Sequence, residues 1–114
     1  MTIAADIVTT LGATLSNKLY PMVAPAGVAA PYAIYQFVSD VHVTHFSGQS
    51  DKANARIQIQ MFGRDYAALD ALAESVKSVM DGATLFKSVC HNKMDWPEDT
   101  THYYGILMDF SVWH

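Results

Sequence analysis

The amino-acid sequence predicts an α+β fold in which two helices pack on an antiparallel sheet of about four strands, in the order α-β-β-α-β-β. Apolar residues recur at helical spacing in two segments, and "ARIQIQMFG" alternates apolar and polar residues as a half-buried strand does. The length of 114 residues, with 51% hydrophobic and 16% charged residues, fits one globular domain. We therefore expect a single domain over residues 1–114.

The two helices are predicted from apolar residues spaced three and four positions apart. In the first helix, which we expect to start after an N-cap at Thr2 and to end near Asn17, these residues are Ile3, Ile7, Val8, Leu11 and Leu15. The second helix covers "RDYAALDALAESVKSVMDG", with Asp65 near its start and Gly82 as its stop. Its apolar stripe consists of Tyr66, Leu69, Leu72, Ala73, Val76, Val79 and Met80.

A proline-rich segment, "LYPMVAPAGVAAP", separates the first helix from the first predicted strand. Its three prolines and one glycine predict an irregular connector over the surface. The strands "YAIYQFVSDV" and "ARIQIQMFG" should then pair. In the second of these, one face carries Ile57, Ile59 and Met61, and the opposite face carries Arg56, Gln58 and Gln60.

The segment "HVTHFSGQSDKAN" lies between these two strands and is longer than a tight hairpin turn. Either the strands extend outward through it, or it is a loop. We expect a loop that is mobile in the free chain and becomes ordered on meeting a partner, with Val43 and Phe46 as its anchors.

The last two strands are predicted over "TLFKSVCHNKMDW" and "THYYGILMDFSVWH", joined by the turn "PEDT". The final strand is apolar on both faces: one face carries Ile106, Met108, Phe110 and Val112, and the other carries Tyr103, Leu107 and Trp113. Two helices can cover only one face of a sheet, so we expect another protein to cover the second. Tyrosines 32, 35, 103 and 104 strengthen this expectation, because Tyr and Trp are enriched at interfaces.

Charge and composition exclude several classes of protein. The formal net charge is -4, and the seven Lys and Arg residues are scattered, so the chain lacks the basic cluster that binds nucleic acid. Its one cysteine cannot form an intrachain disulfide, which fits a reducing compartment. We expect no targeting segment in "MTIAADIVTT", and no membrane span, because three prolines interrupt the uncharged stretch 19–39.

No residue pair predicts a catalytic centre. Cys90 and His91 are neighbours on a predicted strand, so their side chains should point to opposite faces and cannot form a nucleophile–base pair. Neither "GATLSNK" nor "SGQSDK" has the spacing of a phosphate-binding loop. We therefore expect no enzymatic activity and no cofactor.

Metal binding is also not predicted. His42 and His45 lack a second pair of ligands at suitable spacing. Asp95, Glu98 and Asp99 belong to or flank a turn in which carboxylates serve solubility and local backbone hydrogen bonds.

The chain resembles a known family over nearly its whole length. The segments "LYPMVAP", "PYAIYQFVSD", "RIQIQMFG", "DYAALDALAESV" and "EDTTHYYGILMDFSVWH" together are similar to the tail-completion or tail-terminator proteins of long-tailed bacteriophages and prophages. No single motif is diagnostic, and the strand ending in "DFSVWH" is the most suggestive piece.

The resemblance implies a structural role. Proteins of this family are α+β and form a ring, usually of six subunits, that caps the tail tube and faces the head connector or a head-completion protein. DNA passes through the lumen, which suits the acidic balance of the chain. The resemblance implies a place in the virion tail, with assembly in the cytoplasm of the bacterial host.

The family resemblance carries over no contact residues. From the predicted loop and the last strand we expect the subunit or tail-tube interface to include His42, Val43, His45, Phe46, Gln49, Tyr103 and Trp113. Two other functions remain open. One is a small α+β domain with a ligand pocket, and the other is an adaptor that binds a peptide by strand addition.

Overall fold

The computed structural model describes residues 3–15, 17–23, 27, 30–45, 48–84, 86–95 and 103–113. Its elements, in chain order, are α1 (Ile3–Leu11), β1 (Leu19–Pro21), β2 (Tyr32–His45), β3 (Gly48–Gly63), α2 (Tyr66–Asp81), β4 (Lys87–Asp95) and β5 (Tyr104–Trp113). Among the helices of these ranges, none is both long and apolar enough to span a membrane. The predicted α+β class is confirmed.

The sheet has five strands in the order β1-β2-β3-β5-β4, one more than predicted. The additional strand, β1, lies at the start of the segment that we expected to be an irregular connector, so that expectation is wrong for Leu19–Pro21. It pairs parallel to β2, with Leu19 opposite Ala33, whereas the other strand pairs are antiparallel. A proline is tolerated here because β1 is an edge strand, where one side of the backbone makes no ladder hydrogen bonds.

Strands β2 and β3 pair with each other over the described part of the segment that was predicted to be a mobile loop, with one register shift between His42 and Thr44. Thr44 pairs with Gln49, and His45 pairs with Gly48. For the described residues of this segment, 42–45 and 48–54, the expectation of a loop is therefore wrong, and the strands extend outward instead. The sequence signal was misleading because Ser, Gly, Gln and Asp predict a turn, whereas backbone pairing to a partner strand determines the structure here.

The core lies between the two helices and one face of the sheet. The predicted inward faces of β3 and β5 are confirmed, because Ile57, Ile59, Met61 and Phe110 are all buried. Both helices contribute to this core, and their buried members are Ile7, Leu11, Leu69, Ala73, Val76 and Met80.

The caps of α2 agree with the sequence, whereas α1 is shorter than expected. Asp65 is the N-cap and accepts a hydrogen bond from the backbone N–H of Ala67 at 3.1 Å, and Gly82 is the C-cap. Helix α1 ends at Leu11 rather than near Asn17. Gly12 follows it, and glycine propagates a helix poorly, so the chain continues in hydrogen-bonded turns through Leu15. The predicted N-cap, Thr2, lies outside the described residues.

Candidate assembly interface

The second face of the sheet, opposite the core, carries no helix in the part of the chain that the structure describes. Its centre is polar: the Arg56 guanidinium donates to the Asp109 carboxylate at 2.8 Å, between β3 and β5. Gln58 and Gln60 lie on the same face of β3, as the alternation predicted. The pair of Arg56 and Asp109 adds no net charge to this face.

Apolar side chains lie beside this polar centre, on β4 and at the end of β5. Val89 and Met94 of β4 and Trp113 of β5 are 47%, 41% and 37% exposed. Between them, a ring nitrogen of His91 lies 2.7 Å from the Ser111 hydroxyl. This mixture of exposed apolar and neutral polar groups is typical of a surface that contacts another protein.

An aromatic cluster covers one end of the second face. The ring of Phe62 packs on Tyr32 with centroids 5.2 Å apart, and Tyr32 meets Tyr103 edge-on at 6.4 Å. The Arg64 guanidinium carbon lies 5.6 Å from the centroid of the Tyr103 ring. Tyr103, one of the predicted interface residues, is therefore already partly engaged within the chain.

The β2–β3 hairpin extends beyond the rest of the sheet. Pairing of β3 with β5 ends at Asn54 opposite Trp113, and pairing of β1 with β2 ends at Pro21 opposite Tyr35. Residues 42–45 and 48–53, here called the arm, therefore pair only with each other among the described residues. The arm extends the sheet by about 20 Å at ~3.3 Å per residue. A two-stranded ribbon is marginally stable alone and is stabilised by packing against something else.

The predicted interface residues do not form one cluster. His42, Val43, His45 and Gln49 belong to the arm, and Phe46 lies outside the described residues. Trp113 is at the base of the arm. Tyr103 lies just before the start of β5, ten residues before Trp113, so the two residues are about 33 Å apart along the extended chain. The predicted residues that the structure describes thus lie in two places, one at each end of β5.

A cleft at the start of α2 was not predicted from the sequence. Tyr66, Asp95, Tyr104 and Gly105 line it, and its volume is ≈ 290 Å³. The Tyr66 hydroxyl donates to the Asp95 carboxylate at 2.8 Å, and this hydrogen bond is the main reason that the pKa of Tyr66 is raised. The phenol therefore keeps its proton. The sequence placed Asp95 in a predicted strand beside a turn and gave it no role, and the helical stripe that contained Tyr66 gave no sign that its ring meets Tyr104.

Lys93 attaches β4 to the outer side of α2. Its ammonium lies 2.6 Å from the Asp70 carboxylate and 3.8 Å from that of Glu74. The hydrogen bond to Asp70 is the largest cause of the raised pKa of Lys93. These contacts fix the position of β4 relative to α2, and hence one wall of the cleft.

The structure separates the residues that could have suggested catalysis. Cys90 packs against the core, whereas the His91 ring contacts Ser111 on the second face, so the predicted separation of these neighbours is confirmed. Within the described ranges, no three His, Cys, Asp or Glu side chains come together as a metal site. The features described above, the second sheet face, the aromatic cluster and the arm, are instead surfaces suited to contact with other proteins.

The chain is an α+β domain whose arm pairs with no other described strand and whose second sheet face carries both apolar and polar side chains. These are features of a structural protein that assembles with others. The chain belongs to the family described as Tail completion protein gp17, whose model matches residues 4–114. The resemblance noted in the sequence is thus confirmed, and the chain is a structural protein of the phage tail. The family is one of structural virion proteins.

Solved structures give the same fold, with 24 chains matching. One is a chain from a structure titled "Virion of native gene transfer agent (GTA) particle", at 16% sequence identity and a TM-score of 0.68. The match covers 95% of this chain and 90% of that chain. At this identity the likeness shows the fold alone. No curated protein matched the sequence.

Proposed function

We propose that this protein is the tail terminator of its particle: a ring of six subunits that caps the completed tail tube and joins it to the head connector or to a head-completion protein. The ring assembles in the cytoplasm of the bacterial host, and DNA passes through its lumen without specific binding. The membership of the tail-completion family supports the tail role, and the likeness to a virion chain supports a place among other particle proteins.

The arm is the observation that carries this proposal. It is a two-stranded ribbon that no other described strand covers, and the chain measures 52 × 25 × 24 Å along its principal axes. An elongated subunit with a projecting ribbon can reach across to its neighbour, and repeated head-to-tail contacts of one kind close into a ring. The arm residues His42, Val43, His45 and Gln49, and with them Phe46, are proposed to contact the next subunit or the tail tube.

The two ends of β5 then have different partners. Trp113, at the base of the arm, extends the contact with the neighbouring subunit. Tyr103, at the far end, belongs to the surface that faces a different component of the tail. Aromatic anchors of this kind dominate the binding energy of many interfaces.

The electrostatics support free passage of DNA. Arg56 is paired with Asp109, and Lys93 with Asp70 and Glu74, so these cations are neutralised within the chain. A lumen without a cluster of unpaired cations would not hold phosphate groups.

The test is electron microscopy of the purified protein with and without tail tubes, together with native mass spectrometry. The expected result is a closed ring on one end of each tube, with a mass six times that of the 12.5 kDa chain. Monomers that bind neither each other nor tubes would overturn the proposal. Monomers that capture extended peptides would favour a strand-addition adaptor instead.

A further inference from the structure

The cleft at the start of α2 has a chemistry that the ring proposal does not use. Two tyrosine rings and one carboxylate meet there at the surface. Tyr66 is 42% exposed and Tyr104 is 50% exposed, and their ring centroids are 5.6 Å apart with the planes tilted by 68°. Exposed aromatic faces beside a carboxylate are the groups that bind a cationic side chain, through cation–π attraction and a charge-assisted hydrogen bond.

The Asp95 carboxylate has capacity for such a ligand. Among the described residues, its only side-chain partner is the Tyr66 hydroxyl, which occupies one oxygen, Oδ1. A carboxylate can accept about four hydrogen bonds over its two oxygens. Asp95 can therefore hold the tyrosine in place and still accept from an incoming donor.

Strand pairing beside the cleft ends at Asp95 in the part of the chain that the structure describes. Strand β4 ends at Asp95, opposite Ile106, whereas β5 begins two residues further out, at Tyr104. Within the described residues, Tyr104 and Gly105 thus have no strand partner on the β4 side. Gly105 lines the cleft without a side chain to fill it.

We propose that this cleft binds an arginine side chain presented by a different protein of the particle. The guanidinium would stack on the tyrosine rings and direct its N–H groups at Asp95. Arginine fits better than lysine, because its planar fork can stack on an aromatic ring and bind a carboxylate at the same time. The chain already contains such a contact: Arg64 lies over the ring of Tyr103 and donates to its hydroxyl at 3.4 Å.

The arginine does not come from a second copy of this chain. The sequence contains two arginines, Arg56 and Arg64. Arg56 is held by Asp109, and Arg64 is engaged by Tyr103. Releasing either one for an intermolecular contact would break an existing pair. The partner is therefore a heterologous protein, and the site is distinct from the contacts between subunits of the ring.

Saturation-transfer NMR observed on the ligand tests the site, because this measurement works for a monomer and for a ring. The probe is N-acetyl-arginine amide, and the neutral comparison is N-acetyl-citrulline amide, which has nearly the same shape. We expect saturable binding of the arginine probe, with a dissociation constant on the order of a millimolar. The citrulline probe should bind about tenfold more weakly or not at all.

Two variants place the binding in the cleft. Asp95→Asn and Tyr104→Leu should each weaken arginine binding about tenfold, whereas the matched control Asp81→Asn, which removes the same charge at the far end of α2, should leave it unchanged. Circular dichroism of each variant verifies folding. Equal binding of the citrulline or a lysine probe, or equal loss in the Asp81 control, would overturn the proposal. Ring formation is scored separately by microscopy, so failure here is distinguishable from failure of the proposed function.

Discussion

The Arg56 guanidinium and the Asp109 carboxylate meet at 2.8 Å on the sheet face that carries no described helix, with side chains 42% and 21% exposed. They link β3, the central strand of the sheet, to its neighbour β5. Arg56 Nε and Asp109 Oδ1 are buried and have no hydrogen-bond partner among the described residues. The pair is therefore partly satisfied and sits at the solvent boundary, where an ion pair contributes modestly.

A double-mutant cycle with Arg56→Met and Asp109→Ala measures this contribution. We expect a coupling free energy of about 1 kcal/mol, because the pair is partly screened by solvent. Asp109→Ala should lower the free energy of unfolding more in the original chain than in a chain that already carries Arg56→Met. In the original chain it leaves the Arg56 cation half-buried without a carboxylate. Urea unfolding at two salt concentrations provides the measurement. Additive effects of the two substitutions would show that the two charges do not interact.

Trp113 should matter for assembly more than for folding. Trp113→Ala should lower the affinity between subunits by about 2 kcal/mol, as truncation of an interface anchor does, while shifting the urea midpoint of the isolated subunit little. Phe110→Ala is the matched control on the same strand: Phe110 is 1% exposed, and its loss should cost about 3–5 kcal/mol of folding. Sedimentation velocity and urea unfolding separate the two effects. A large loss of subunit stability with normal rings would make Trp113 a core residue.

Removing the arm tests its role without touching the core. Because His42 lies opposite Ala53, replacing residues 43–52 by Asn-Gly should close the hairpin with a two-residue type I′ turn. The shortened chain should unfold at nearly the parent urea concentration, yet form no rings and join no tails to heads. Val8→Ala, on the exposed side of α1, serves as a control that should assemble normally. Normal joining by the shortened chain would leave the arm without a role.

The contact between Lys93 and Asp70 predicts a dependence on pH. The pKa of Lys93 is raised in the folded chain, so its contribution to stability is complete below the unfolded pKa of about 10.4 and is lost as the pH rises through the higher folded value. Lys93→Met should therefore cost about 0.5 kcal/mol at pH 7 and less at pH 11. Urea unfolding of both chains at the two pH values gives the comparison. A cost that does not change with pH would assign the effect to packing of the lysine stem.

Assembly should not require catalysis or a metal. The variant Cys90→Ser should complete tails in the presence of a chelator as the parent does, since Cys90 packs against the core and His91 faces the other side of the sheet. The yield of joined particles is the readout. A loss of joining that added metal restores in the parent would contradict this expectation.

The local patterns of the sequence predicted the core well. Ile57, Ile59 and Met61 alternate with polar residues, and the spacing of Leu69, Ala73 and Val76 follows a helix, so period alone identified which side chains are buried. Asp65 and Gly82 marked both ends of α2, because capping chemistry is local.

The features that the sequence did not reveal depend on contacts between distant residues. Strand β1 forms because Leu19 pairs with Ala33, which is distant in the sequence. The prolines around β1 instead predict an irregular connector. The turn-forming composition of residues 47–51 concealed the arm, whose strands are held by pairing with each other. The cleft joins Tyr66 to Asp95 and Tyr104 from three different elements, and no spacing within one segment encodes such a meeting.

The position of β5 has a consequence for how the subunit is made. It joins β3 to β4, both of which precede it in the chain, and it fills the gap between them with a strand whose Ile106, Met108, Phe110 and Val112 are buried. Until β5 has left the ribosome, β3 and β4 expose the strand edges that pair with it, and the core lacks the buried side chains that β5 supplies. Folding therefore waits until β5 has been synthesised after both of the strands that it joins, and the pairing of strands far apart in sequence makes it slow compared with a helical bundle. A chaperone that shields those edges during synthesis would raise the yield of competent subunits more than one that acts afterwards.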